Sequence, residues 1–122
     1  MDTENTKNIG FGSFHPADAE QYAEITIEVK NKITEKADFT SNDETVATCA
    51  KAICRLIVGF PAEDILQMNN KAVYYNIEED LPLDRLFCAT IAVNAAKKAA
   101  MDYMKKNGIA IPSDALCSCL DR

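Results

Sequence analysis

The sharpest alternation of apolar and polar positions lies at Ile25, Ile27 and Val29, which interleave with Glu24, Thr26, Glu28 and Lys30. A period of two with one apolar face predicts a half-buried strand beginning near Tyr22. Asn31-Lys32 then supplies a turn, and Ile33, Ala37 and Phe39 are expected on one face of a second strand, paired antiparallel with the first. Upstream, Ile9, Phe11 and Phe14 interleave with Gly10, Gly12 and Ser13 in the manner of a short, glycine-loosened strand.

After Phe39 the period changes. Ser41-Asn42-Asp43-Glu44 offers capping oxygens and acidic first-turn residues ahead of an apolar segment from Val46 to Val58. Val46, Cys49, Ala50, Ile53, Leu56 and Ile57 leave only a narrow polar stripe of Thr48, Lys51 and Arg55, so this helix is expected to be largely buried. Gly59 ends it, and Pro61 opens a short helix through Glu63, Asp64, Ile65 and Leu66. Residues 69–79 read equally well as helix or loop. The last element is expected from about Asp84 to Lys106. There Cys88, Ile91, Ala92, Ala95, Ala99 and Tyr103 recur at helical spacing opposite Lys98, Asp102 and Lys105, an amphipathic pattern that Asn107-Gly108-Ile109 closes.

Strands first and helices afterwards predict an α+β fold, with a small antiparallel sheet of about three strands packed on helices. Residues 1–8 are polar and expected to be disordered, residues 9–108 form one domain, and residues 109–122, with Cys117-Ser118-Cys119, read as a flexible tail. At 122 residues and 48% apolar content, the chain has material for one core without disulfides or metal.

Charge and cysteine usage narrow the function classes. With 19 acidic against 13 basic residues the formal charge is -6, which repels a phosphate backbone, so nucleic acid is not an expected partner. The apolar runs are too short for a membrane span, and Met1-Asp2-Thr3-Glu4-Asn5 is too polar for a signal peptide; a cytoplasmic protein is expected. Five cysteines at irregular spacing suit a reducing compartment better than a disulfide framework. A nucleophile elbow, a phosphate loop, a Cys-x-x-Cys pair and a His-Glu-x-x-His motif are all absent from the sequence, so no enzyme activity is expected.

The stretch Leu81-Pro82-Leu83-Asp84-Arg85-Leu86-Phe87-Cys88 runs into an Ala-rich helix ending in Asp102-Tyr103. A thiol at the head of a helix is favoured as thiolate by free N–H groups and the helix dipole. This pattern resembles the IscU and NifU N-terminal family of iron–sulfur cluster assembly scaffolds, as do the Ile-x-Ile-x-Val strand, the Ala37-x-Phe39 before the turn, and the helix ending in Val58-Gly59. The resemblance implies the same α+β architecture and a scaffold role. Cysteine desulfurase or other iron–sulfur assembly proteins would then be partners, homo-oligomers would be compatible, and Cys88 would serve as sulfur acceptor or iron ligand.

The family supplies three ligand cysteines, and only the last is carried over, as Cys88. Ala19-Glu20-Gln21, or Asp18 with a shift of one, falls where the first belongs. Asn42-Asp43-Glu44-Thr45 occupies the turn of the second, placing a carboxylate there, and Phe87 stands where the family often has histidine. An iron–sulfur cluster needs about four thiolate or imidazole ligands. A mixed set of Cys88, Asp43 or Glu44, Asp18 and His15 would suit a single zinc or ferrous ion better, against the plainer reading of His15 as a surface-loop residue. Cys49 and Cys54 lie on different sides of one helix and read as small core side chains. For Cys88 two readings stay open: apolar helix neighbours argue for core, the helix start for a reactive tip. The alternative functions are a non-cluster-binding adaptor or regulator that retains the scaffold fold, or a zinc- or iron-binding protein with an altered ligand set.

Overall fold

The computed structural model describes residues 8–77 and 85–109. Among these, three strands form one antiparallel sheet in sequence order: β1 (Ile9–Phe14), β2 (Ala23–Lys30) and β3 (Ile33–Ser41). The helices α1 (Glu44–Ile57), α2 (Ala62–Ile65), α3 (Asn70–Tyr74) and α4 (Phe87–Lys106) follow. This is the α+β arrangement expected from the sequence, and the helices gather on one face of the sheet.

The inner face is read directly from the alternation in β2, where Ala23, Ile25, Ile27 and Val29 are buried and the intervening residues are partly exposed. Asn31 and Lys32 both adopt positive φ, 56° and 69°, as a two-residue turn between strands of right-handed twist requires. β3 departs from expectation. Its register skips Glu35, since Val29 pairs with Thr34 while Glu28 pairs with Lys36. That bulge reverses the facing of everything before it. Ile33 is consequently 39% exposed and Thr34 is buried, whereas Ala37 and Phe39 keep the inward side. Thr34 instead anchors the far end of α1: its N–H donates to the Phe60 carbonyl and its carbonyl accepts from Gly59 N–H.

α4 is the centre of the molecule. An amphipathic helix was the expectation, yet Asn94 and Lys97 are buried along with most of its apolar positions, because the sheet covers one side and α1, α2 and α3 cover others. Alanine makes this feasible: Ala92, Ala95, Ala96, Ala99 and Ala100 favour the helix and keep its radius small on several sides. The closest approach is to β1. A Cβ at Gly10 or Gly12 would collide with the α4 backbone at Ala99 or at Ala95 and Ala99 respectively, so the two glycines are grooves for a helix rather than loosening elements. Asp102 accepts from Phe11 N–H at 2.9 Å and Lys106 donates to the Ile9 carbonyl at 2.9 Å, so α4 also satisfies backbone groups of this outer strand. The helix begins at Phe87; the expected start near Asp84 lies outside the described residues, as do Glu78 and Glu79 of the ambiguous stretch, within which Asn70–Tyr74 is helical.

Candidate functional site

Four segments meet at one pole of the domain: the end of β1 with the loop 15–22, the end of β3, the first turn of α1, and the first turn of α4. Local hydrogen bonds fix each in place. Asn42 accepts from Tyr22 N–H and donates to the Glu20 carbonyl, while the Ser41 hydroxyl donates to the Tyr22 carbonyl, tying the loop to β3. His15 closes the loop on itself, its Nε2 donating to the Ala19 carbonyl at 2.7 Å.

Asp43 is the N-cap of α1, and its Oδ2 accepts from Thr45 and Val46 N–H at 3.0 and 3.1 Å. Its Oδ1 lies 3.6 Å from Arg85 Nη1. Both oxygens of the carboxylate that stands in the place of the family's second cysteine are therefore engaged. Glu44 follows in the first turn, exposed to solvent.

Cys88 sits in the first turn of α4, as its sequence context implied, and is fully buried. Phe87, Thr90 and Ile91, from the first turns of the same helix, line a cavity of about 640 Å3 together with Phe14 and Asp18. Asp18 is thus brought near the start of α4 on the cavity side, and His15 stays exposed in the loop.

One neighbour of the Cys88 thiol is a residue the sequence did not suggest. Cys49, on α1, is fully buried, and burial pushes its pKa up to about 12, with Cys88 and Asp43 acting in the same direction. Cys49, Cys88 and Asp43 thus share one electrostatic neighbourhood. Cys54, facing elsewhere on α1, is pushed up to about 12 by burial and then by Asp38. The clue available in sequence was the spacing of Asp43, Val46 and Cys49, which places the cysteine on the buried stripe that descends from the cap.

Among the described residues, no group of three or more His, Cys, Asp or Glu side chains is placed to hold a metal ion. Cys88, Asp43, Glu44, Asp18 and His15 surround the same pole without forming such a group. An iron–sulfur cluster carried as cargo asks for more soft ligands than this, so the described donors of one chain do not fit it.

Comparison with known families settles what kind of fold surrounds this pole: the family described as NifU-like N terminal domain matches residues 9–110. The chain belongs to that family. It is a family of the iron–sulfur cluster assembly scaffold type, and the NifU-like domain accounts for the whole sheet and every described helix. No curated protein matches the chain. No helix among the described residues of this NifU-like domain is long and apolar enough to cross a membrane.

Proposed function

We propose that the protein works in iron–sulfur cluster assembly as a scaffold-like protein without enzyme activity of its own, and that Cys88 is its working thiol. The observation that carries this reading is the position of Cys88 in the first turn of α4 of a NifU-like domain, beside Cys49 and the Asp43 cap. The donor geometry favours sulfur acceptance over iron ligation, because one thiol suffices to take a sulfur and does not suffice for a cluster. In that step the Cys88 thiolate attacks the outer sulfur of a persulfide on a cysteine desulfurase. One S–S bond forms, the donor's own S–S bond breaks, and the donor cysteine leaves as thiolate, with no net oxidant or reductant. Full burial of Cys88 means that docking of the partner has to open the pole.

A second reading follows from the lack of a metal-holding group among the described residues: an adaptor that keeps the scaffold's fold and partner surface and carries no cluster. The two separate in one experiment. The protein, its Cys88→Ser variant and its Cys49→Ser variant are incubated with a cysteine desulfurase and cysteine, and persulfide is mapped by peptide mass spectrometry. Label on Cys88, retained in Cys49→Ser and lost in Cys88→Ser, is expected. A complex with the desulfurase without label on any cysteine favours the adaptor, and unchanged labelling of Cys88→Ser ends the sulfur-acceptor role.

A further inference from the structure

A second cavity, of about 400 Å3, lies between α3 and α4 and is unrelated to any thiol. Thr90, Asn94 and Lys97 recur along one face of α4 and line it, and Asn70 and Lys71 of α3 face them. Polar residues on a helix buried on nearly every side are costly unless their groups find partners. Asn94 is 5% exposed, and among the described residues its Nδ2 has no hydrogen-bond partner. Asn70 Nδ2 donates to Thr90 Oγ1 at 2.8 Å, which leaves the Thr90 hydroxyl proton as a donor. Lys71 adds a cationic group to the wall, and none of the described residues lining the cavity is acidic.

We propose that this cavity is a binding site for a small oxyanion, a phosphate or a carboxylate, held by the Asn94 amide and the Thr90 hydroxyl with the Lys71 charge beside it. Asn94 Nδ2 and the Thr90 hydroxyl are donors at this wall, and a ligand that accepts hydrogen bonds satisfies them. The orphaned amide is the signature: it weakens the ligand-free fold slightly and is satisfied when the oxyanion arrives. Thr90 also borders the larger cavity at the start of α4, so the bound group would sit next to that pole of the domain.

The test is a heteronuclear NMR titration of the full chain with inorganic phosphate and, separately, with citrate, at constant ionic strength and against sodium chloride. Saturable shifts of the Asn94 and Asn70 side-chain amides are expected with at least one oxyanion and not with chloride. A response to phosphate alone assigns a phosphoryl ligand, and a response to citrate alone a carboxylate. Asn94→Leu should weaken binding about tenfold or more, the loss of one hydrogen bond to a charged acceptor, while leaving the unfolding midpoint unchanged or raised. Lys71→Ala, at an exposed position, should weaken binding without affecting the fold. Absence of a saturable shift with both oxyanions, undiminished binding by Asn94→Leu, or a lowered midpoint in that variant would each overturn the site.

Discussion

Asp43 and Arg85 pair at 3.6 Å across the pole, joining the cap of α1 to the segment that leads into Cys88. The carboxylate divides its work, one oxygen holding two backbone N–H groups of α1 and the other facing the guanidinium. Removing the two functions separately should give different costs. Asp43→Ala loses the cap and the pair and should cost about 1 to 2 kcal/mol. Asp43→Asn keeps an acceptor for the cap, and Arg85→Ala loses only a partly exposed ion pair, so each should cost below about 1 kcal/mol. Urea unfolding of the three variants checks the order; equal losses would mean that the cap is not what Asp43 contributes.

The two glycines of β1 make a steric prediction. A methyl group at Gly12 would meet backbone atoms of Ala95 and Ala99, which cannot rotate away as a side chain could. Gly12→Ala should therefore cost about 1 to 3 kcal/mol by forcing β1 from α4. Gly59 offers the contrasting case: space is open around it, but its φ is +100°, so Gly59→Ala carries backbone strain alone, of order 1 kcal/mol. Thermal or urea unfolding ranks the pair, and a Gly12→Ala chain as stable as wild type would contradict the close helix–strand contact.

Alkaline stability follows from the buried thiols. Cys49 and Cys54 have their pKa raised from 9.0 to about 12, so the folded state holds protons that the unfolded chain gives up earlier. A raised folded-state pKa contributes stability that is fully present below the unfolded value and is lost as pH rises through the folded value. The window is thus pH 9 to 12, across which each thiol should remove about 1.4 kcal/mol per pH unit, while stability between pH 6 and 8 is untouched by either. Comparing the slope of unfolding free energy against pH for wild type and Cys49→Ala/Cys54→Ala isolates this contribution from that of lysine and tyrosine. An unchanged slope in the double variant would show that the thiols are not desolvated.

What the sequence revealed and what it concealed divides along local and non-local causes. The β2 alternation, the Asn31-Lys32 turn, the Asp43 cap and the Gly59 stop are set by residues within a few positions of one another, and each is found where the pattern placed it. The facing of Ile33 and Thr34 depends on a bulge opposite the Glu28 to Val29 step, a property of the pair of strands that neither strand carries alone. Lys98 and Asp102 stay partly exposed, as the amphipathic reading of α4 required, but Asn94 and Lys97 are buried because alanines admit neighbours on further sides. At the pole, the sequence grouped Cys88 with Asp43 or Glu44, Asp18 and His15 and left Cys49 out. The convergence of Cys49 with Cys88 and Asp43 arises from packing of α1 on α4, and periodicity within either helix does not encode it.

The same packing governs metal dependence. The core joins all three strands to α1 and α4 through apolar contacts, and among the described residues it includes no metal-holding group. Thermal melts with and without a chelator should therefore coincide, since metal removal takes away no described cross-link. Cluster binding should fail for a related reason. With Asp43 committed to its cap and to Arg85, and Cys49 kept protonated at neutral pH by burial, the described residues offer no set of thiolates around Cys88 that would complete a coordination shell. Anaerobic reconstitution of a confirmed monomer should thus leave no cluster after desalting, as judged by visible absorbance and by iron and sulfide counts. A stoichiometric cluster on a monomer would require ligands drawn from outside the described residues, and would move the protein from sulfur acceptor to cluster carrier.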